Sequence, residues 1–141
     1  MVQQDENRLI HEYVDAFYTN QPKWYRQRLG PAMNPENARM MSVINRWADA
    51  VVFDGQNMVI IEAKMRPDPG AVGQLQLYAE LLPQTPDFTM YANKPVRLVL
   101  VTTKEDLSTR TFCEGKGVEY AIYNPPWVID YLNAFYGVGV K

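Results

Sequence analysis

A β-hairpin near residue 55 is the feature that most constrains how this chain can fold. Two segments rich in β-forming residues, 47–53 and 57–64, lie on either side of the dipeptide Asp54-Gly55. Asp-Gly between two such segments is a strong signal for a tight turn that joins antiparallel strands. Residues 58–61 are all apolar, which favours a buried strand over an exposed edge strand. The sequence therefore predicts a hairpin with a buried second strand, around which the other elements must pack.

Predicted helices and strands alternate along the rest of the chain. Amphipathic spacing and proline or glycine boundaries predict helices at about 5–19, 71–82, 105–115 and 125–135, and strands at 96–101 and 118–123. Within residues 20–45, prolines and glycines break any long element, and only a short helix near 35–44 is predicted. The resulting order of α, β, β, α, β, α, β, α predicts an α/β fold with a mixed central sheet flanked by helices.

Composition excludes several classes of protein. A length of 141 residues suits one domain spanning 1–141. With 47% hydrophobic and 21% charged residues, the chain has the composition of a globular protein and not of a disordered one. One cysteine, Cys113, argues against a disulfide framework and a cysteine-rich zinc site, and favours a small buried residue. The polar, acidic start and the absence of a long apolar run predict a cytoplasmic protein with no membrane partner.

One segment is locally basic although the chain is not. The net charge of −2 argues against a protein that coats nucleic acid without specificity. Residues 21–48, however, contain five basic residues against one acidic residue, a local charge of +4. Within this segment, basic and aromatic residues adjoin and could either contact phosphates and stack on bases or form a solvated loop. The candidate nucleic-acid-binding residues are Lys23, Trp24, Tyr25, Arg26 and Arg28.

Two carboxylates and a lysine are predicted to share one face of the hairpin. Glu62 and Lys64 are two residues apart, so on a strand their side chains project from the same face, about 7 Å apart. A two-residue loop centred on Asp54-Gly55 places Asp49 diagonal to Glu62, on the same face. A loop centred on Gly55-Gln56 places Asp49 directly opposite Glu62, whereas a three-residue loop would put Asp49 on the other face. The sequence alone leaves these registers open.

This trio predicts a divalent cation and phosphodiester chemistry. Two adjacent carboxylates repel each other, and one lysine does not fully compensate for them. Mg²⁺ is usually held by one or two carboxylates, while water and a substrate phosphate complete its ligands. The metal could polarise a phosphoryl oxygen, and the lysine could orient water or neutralise developing charge. The competing interpretation is a solvated ion pair, because Glu-x-Lys also occurs by chance in many strands.

Further residues extend the pattern beyond the hairpin. Twelve residues separate Asp49 from Glu62, which lies in the segment 60–64, Ile-Ile-Glu-Ala-Lys. In the next predicted helix, Gln74 and Tyr78 are four residues apart and so share a helix face. Glu6 lies within the apolar arc of the first predicted helix. This combination, over residues 5 to about 101, resembles the PD-(D/E)xK nuclease superfamily and the Gln-xxx-Tyr motif of its RecB-like branch.

The resemblance implies a restriction-endonuclease-like fold with an αβββαβ core, a cofactor and a set of site residues. The implied cofactor is Mg²⁺ or Mn²⁺. The implied metal ligands are Asp49, Glu62, the Ala63 carbonyl and, as an outer or second-metal ligand, Glu6; the implied catalytic lysine is Lys64; and Gln74 and Tyr78 are implied to support the site or the DNA. The residue before the aspartate is Ala48 rather than proline. Two literal Pro-Asp dipeptides, Pro67-Asp68 and Pro86-Asp87, follow Glu-x-Lys and are interpreted as unrelated to the motif.

The function predicted from these residues is a metal-dependent deoxyribonuclease. A domain this small leaves no room for a separate recognition domain, so specificity would come from DNA structure, a partner, or self-association into a homo-oligomer or larger assembly. The alternative is a non-catalytic DNA-binding or phage virion assembly protein, of the head-completion kind, that retains the nuclease fold and is associated with the virion. A third interpretation is a subunit that is active only within a larger complex.

Overall fold

The computed structural model describes residues 2–32 and 46–136 of the chain. The helices of these ranges are α1 (Val2–Phe17), α2 (Ala71–Leu81), α3 (Leu107–Gly115) and α4 (Pro126–Tyr136). The strands are β1 (Lys23–Leu29), β2 (Arg46–Phe53), β3 (Met58–Ala63), β4 (Val96–Thr102) and β5 (Val118–Ile122). Two short 3₁₀ segments, Leu82–Gln84 and Pro86–Tyr91, connect α2 to β4. The short helix predicted near 35–44 lies outside the described residues.

The five strands form one mixed sheet in the order β1-β2-β3-β4-β5. The first three strands are antiparallel neighbours, and β4 and β5 are added in parallel to β3. Parallel neighbours require crossover connections, which α2 and α3 supply. The predicted mixed α/β architecture is confirmed, and the elements from α1 to β4 follow the expected αβββαβ order.

β1 is not among the strands predicted from the sequence. This strand, Lys-Trp-Tyr-Arg-Gln-Arg-Leu, is partly buried on both faces and lacks the clean alternation of apolar and polar residues by which strands are recognised. It lies at the edge of the sheet, where the stems of long polar side chains can cover apolar neighbours. The candidate residues between positions 23 and 28 therefore lie on a strand, and the interpretation as a solvated loop is wrong.

Helices cover both faces of the sheet and form two cores. All six residues of β3 are buried, which explains why this segment reads as a continuous apolar run. On one face, Ile60 of β3 belongs to a core with Leu75 of α2. On the opposite face, Val59 packs with Leu9 of α1 and Val128 of α4. Because the central strands are covered on both sides, a charged side chain on them needs a specific reason to be there.

The last two helices complete these layers. Asp106 caps the start of α3 by accepting a hydrogen bond from the Thr109 amide at 3.1 Å. Further along α3, Cys113 is buried with no disulfide, as its interpretation as a small core residue predicted. Pro126 begins α4, at a position where the missing amide hydrogen of proline costs no helical hydrogen bond. None of the helices described is long and apolar enough to cross a membrane.

Candidate active site

The hairpin turn sets the register that brings the predicted trio together. Ala50 pairs with Ile61, and in the turn the Asp54 amide donates to the Asn57 carbonyl at 3.1 Å. The loop is therefore centred on Gly55-Gln56, and Gly55 has a φ of 104°, in the left-handed region that glycine tolerates. Of the registers left open by the sequence, this is the one that places Asp49 opposite Glu62.

Beyond the pair Ala50–Ile61, β2 and β3 are joined by hydrogen bonds from backbone amides to side-chain carboxylates. The recorded pairing of β2 with β3 ends at these two residues, one position before Asp49 and Glu62. Asp49 Oδ2 accepts a hydrogen bond from the Ala63 amide at 2.8 Å, and Glu62 Oε1 accepts one from the Asp49 amide at 3.1 Å. The backbone pairing of the hairpin thus ends here, which makes this its open end. Each carboxylate accepts a hydrogen bond from a backbone amide of the opposite strand. Asp49, Glu62 and Ala63 form this open end.

The two carboxylates of the open end are poorly compensated. Glu62 is only 4% exposed, and burial together with the negative charge of Asp49 raises its pKa to about 8. Burial also raises the pKa of Asp49, against the hydrogen bond from Ala63 and the positive charge of Lys64. Lys64 is half-buried at the end of β3, where its amide donates to the Val101 carbonyl at 3.0 Å. Because both pKa values are raised, negative charge on Asp49 and Glu62 is unfavourable, and a cation bound beside them would relieve it.

A cavity of about 370 Å³ lies beside the open end. It is lined by Glu6, Lys64, Met65, Arg66, Pro67 and Asp68, so Lys64 connects it to the two carboxylates. Glu6 Oε2 accepts a hydrogen bond from the Met65 amide at 3.1 Å, which attaches α1 to the chain just after β3. Burial raises the pKa of Glu6, and the negative charges of Asp49 and Asp68 act in the same direction. The cavity is therefore lined by two acidic and two basic side chains.

Asp68 is the pocket residue that the sequence analysis set aside. It was interpreted as part of an unrelated Pro-Asp dipeptide, yet its carboxylate lies in the same pocket as Glu6 and Lys64. The turn after β3 returns the chain toward the site, where Asp68 Oδ1 accepts a hydrogen bond from the Gly70 amide at 2.8 Å. The available signal was its position four residues after Lys64, immediately before a predicted helix.

The two candidate residues of α2 occupy different environments. Tyr78 is 2% exposed, and its hydroxyl donates to the Trp47 carbonyl at 3.2 Å. This contact ties α2 to β2 only two residues from Asp49. Gln74 lies one helical turn earlier and is exposed. The structure therefore places Tyr78 as a support of the strand that carries Asp49, and places Gln74 on the surface of α2.

The aromatic candidates of β1 point to opposite faces of the sheet. The ring of Trp24 packs edge-on against Phe88, with a centroid distance of 4.9 Å. The ring of Tyr25 stacks on His11 of α1 at 3.8 Å. Both rings are thus engaged by neighbouring protein rings, and the structure does not display them side by side.

The basic candidates of β1 also differ from one another. Lys23 Nζ donates to the Thr19 carbonyl at 2.9 Å, and Arg28 donates to the carbonyls of Gly30 and Pro31. Arg26 is exposed, and its guanidinium lies 5.8 Å from the ring centroid of Trp47, a residue that is 53% exposed. The charge of Arg26 acts on Asp49 by lowering its pKa. Among the predicted nucleic-acid-binding residues, Arg26 is the one placed beside the open end.

The donor chemistry of the open end fits a hard divalent cation with an incomplete protein shell. Within the described ranges, no three Asp, Glu, His or Cys side chains are grouped so as to hold a metal by themselves. Two adjacent carboxylates are nevertheless sufficient for Mg²⁺, which keeps several waters and takes substrate phosphate as a ligand. The Ala63 amide faces Asp49, and since the amide and carbonyl of one strand residue point to the same neighbour, the Ala63 carbonyl is directed to that side too. These oxygens correspond to the ligands that the sequence analysis expected.

Solved endonucleases share this fold. A repair endonuclease from Pyrococcus abyssi superposes with a TM-score of 0.52 and 19% identity, over 84% of this chain and 47% of that one. EndoMS in complex with double-stranded DNA gives 0.53 and 20%, over 86% and 45%, and EndoMS in its apo form gives 0.52 and 22%, over 85% and 47%. The chain therefore spans about half the length of these proteins. No protein family matches its sequence, and no curated protein does. At these identities the similarity establishes the endonuclease-like fold.

Proposed function

We propose that this chain is a metal-dependent nuclease that hydrolyses DNA phosphodiester bonds at the open end of the hairpin. The observation that carries the proposal is the pair of the buried Glu62 and the partly buried Asp49, which lie opposite each other where the pairing of β2 with β3 ends, with Lys64 just after β3. The endonuclease-like fold supports it, and one of the similar structures is a complex of EndoMS with double-stranded DNA. The competing proposal of a non-catalytic DNA-binding or virion assembly protein does not account for a buried glutamate kept beside a second carboxylate that repels it.

Asp49 and Glu62 would hold Mg²⁺ or Mn²⁺, with the Ala63 carbonyl as a third protein ligand. A divalent cation bound there supplies Lewis-acid polarisation of a phosphoryl oxygen and lowers the pKa of a bound water. The backbone amides of Ala63 and Asp49 each hold one oxygen of a carboxylate, which fixes the orientation in which the two carboxylates would face a ligand. Glu6 would be an outer or second-metal ligand, and its carboxylate is held by a hydrogen bond from the Met65 amide.

Lys64 supplies the positive charge that the reaction needs near the phosphate. Its ammonium borders the pocket on one side and acts on both carboxylates on the other. During attack on a phosphodiester, negative charge grows on the phosphoryl oxygens, and a fixed ammonium stabilises that charge more strongly than it stabilises the ground state. Gln74 and Tyr78 have supporting roles in this proposal: Tyr78 holds β2 through the Trp47 carbonyl, and Gln74 is exposed to a bound DNA strand.

A cleavage assay on several DNA forms tests the proposal. The purified chain is incubated with linear, circular, single-stranded and branched DNA in the presence of Mg²⁺, Mn²⁺ or EDTA. We expect cleavage of at least one form with metal and none with EDTA. Lys64→Met should lower the rate by on the order of a hundredfold or more while DNA and metal still bind. Lys116→Met is the matched control, because Lys116 is an exposed lysine just after α3, over the Phe112 ring, and should leave the rate unchanged.

Two outcomes of this assay would count against the proposal. If Lys64→Met cleaves at the wild-type rate, Lys64 has no catalytic role and only balances Glu62. If the wild-type chain binds DNA but cleaves none of the forms with either metal, the non-catalytic interpretation is favoured. Self-association is tested in the same samples by comparing the sedimentation of the free chain with that of the chain bound to DNA.

A further inference from the structure

Arg26 has an unusual backbone conformation in the middle of β1. Its φ is 47°, and it is the one non-glycine residue with a positive φ in the described ranges. Arginine has a Cβ atom that makes this left-handed region unfavourable, so a position of this kind persists only where the surroundings impose it. Outliers of this type cluster at functional sites. The location of Arg26 on the strand next to Asp49 therefore needs an explanation.

The register shows what this conformation changes. Tyr25 pairs with Ala50 and Gln27 pairs with Ala48, but the intervening pair of Arg26 with Asp49 is missing from the ladder. The interruption is thus one residue long, and β1 returns to the same register on its other side. A regular strand would have placed Arg26 directly opposite Asp49.

Strand geometry identifies the hydrogen bond that a regular ladder would make at the interrupted position. The Phe53 amide donates to the Pro22 carbonyl at 3.0 Å, so residue 53 of β2 turns its amide toward β1. Hydrogen-bonded positions recur every second residue along an antiparallel strand, so in a regular strand the Asp49 amide would also be directed toward β1. In a regular ladder it would donate to the Arg26 carbonyl. In this structure it donates instead to Glu62 Oε1 at 3.1 Å.

We infer that Arg26 is a positioning residue whose left-handed backbone interrupts the β1–β2 ladder and reserves the Asp49 amide for Glu62. This inference rests on the proposed function, since it explains how the Glu62 carboxylate is oriented beside Asp49 for a shared cation. The role belongs to the backbone of Arg26 and acts through the Asp49 amide. The guanidinium of Arg26, stacked near the exposed Trp47 ring, is free for a separate role in contacting substrate.

Substitutions that differ in backbone preference separate the two roles. Arg26→Gly and Arg26→Asn remove the charge but tolerate a positive φ, whereas Arg26→Val removes the charge and disfavours that region. Gln27→Val is the matched control, because it places the same side chain one residue later, where the ladder is regular. Binding of Mn²⁺ is measured by calorimetry without DNA, so that a lost phosphate contact does not affect the result.

We expect the glycine and asparagine variants to bind Mn²⁺ like the wild type, and Gln27→Val to do the same. Arg26→Val should bind about tenfold or more weakly, as is typical when the group that orients a metal ligand is lost. Equal affinity of the valine and glycine variants, whether both are weakened or both are unchanged, would overturn the inference. Rescue by glycine or asparagine distinguishes positioning from a general loss of fold.

A metal-independent measurement keeps this inference separate from the proposed function. Through-hydrogen-bond NMR couplings identify the carbon whose oxygen accepts the Asp49 amide hydrogen. In the wild type the partner should be the Glu62 carboxyl carbon, and in Arg26→Val it should become the Arg26 carbonyl carbon. Coupling to the Arg26 carbonyl in the wild type would overturn the inference. A wild type that binds no Mn²⁺ but shows the Glu62 coupling would contradict the proposed function and leave the ladder interruption established.

Discussion

The carboxylates at the two ends of one hairpin have pKa values shifted in opposite directions. At the turn, Asp54 accepts hydrogen bonds from the Gln56 and Asn57 amides at 2.9 and 2.7 Å. It also forms an ion pair with Arg97 at 2.8 Å. Burial would raise its pKa, but these partners outweigh burial and lower it. At the open end, burial raises the pKa values of Asp49 and Glu62, although each accepts a hydrogen bond from one backbone amide and Lys64 and, for Asp49, Arg26 act in the opposite direction.

This difference separates a carboxylate that stabilises the fold from carboxylates that are available for chemistry. Asp54 is satisfied within the protein, so a ligand would have to displace existing partners. Asp49 and Glu62 lack positive charge that a bound cation would supply, and their repulsion lowers the stability of the metal-free fold. Proteins keep such unfavourable groups where function requires them. The comparison therefore supports the proposal that the open end carries the function, whereas Asp54 stabilises the turn.

The largest expected effect is on cleavage. Asp49→Asn keeps the shape of the side chain and its hydrogen bond from Ala63 but removes a charged metal ligand, so the cleavage rate should fall by at least on the order of a hundredfold. Asp54→Asn is the same substitution at the turn, and it should leave the rate per folded molecule unchanged. The measurement is the initial rate on the best DNA substrate with Mg²⁺. Similar losses in the two variants would remove the distinction between the two ends.

A smaller effect is expected in the pH dependence of stability. In the metal-free chain, Glu62 keeps its proton up to a pH of about 8 when folded and only to its ordinary value of 4.5 when unfolded. The folded state therefore binds more protons between these values, and the free energy of unfolding should fall as pH rises through this window, by at most about 1.4 kcal/mol per pH unit. Glu62→Gln should flatten this slope in urea titrations and be more stable than the wild type at pH 8.

Asp54 should show the opposite sign in the same experiment. Its pKa is lowered by folding, so its stabilising contribution is present above its ordinary value and is lost as pH falls through the lowered pKa. Asp54→Asn should thus reduce the acid sensitivity of the fold while leaving the slope near neutral pH in place. A wild-type chain whose stability is flat between pH 5 and 8 in the presence of EDTA would contradict the account of Glu62.

The smallest expected effect concerns the arginines beside the two ends. Arg97 is held by Asp54 and, at 2.8 Å, by Glu119, whereas Arg26 is exposed over Trp47. Arg26→Gln should weaken DNA binding a few-fold and reduce the slope of log affinity against log salt by about one, as for the loss of one phosphate contact. Arg97→Gln should lower stability and leave the salt slope unchanged. Unchanged affinity in Arg26→Gln would locate the DNA elsewhere.

Much of the fold could be predicted because its strands are locally distinctive. The continuous apolar run of β3 and the Asp-Gly dipeptide of the turn are each visible within a few residues. The hairpin loop could then take only a few lengths and positions, each of which gives one register. β1 carries no such signal, because its polar side chains contact neighbours contributed by distant segments, such as Phe88 for Trp24 and His11 for Tyr25. Such contacts exist only after the sheet has formed, and sequence spacing does not reveal them.

The residue types of the candidate site could be predicted from the sequence, whereas the hydrogen bonds that join these residues could not. The spacing of Glu62 and Lys64 follows from strand periodicity, but the crossing hydrogen bonds of the open end depend on the interruption at Arg26. No propensity rule predicts a left-handed arginine within a strand. Asp68 enters the pocket through a turn whose path is set by tertiary packing. Both features depend on tertiary structure and are not visible in the sequence.

Calorimetric titration with Mn²⁺ tests the central claim, that the open end is a divalent-cation site, most directly. The wild type and Asp54→Asn should each bind Mn²⁺, and binding should raise the melting temperature of both by mass action. The double variant Asp49→Asn, Glu62→Gln should bind none there and show no shift. Metal binding and stabilisation that persist unchanged in this double variant would contradict the account.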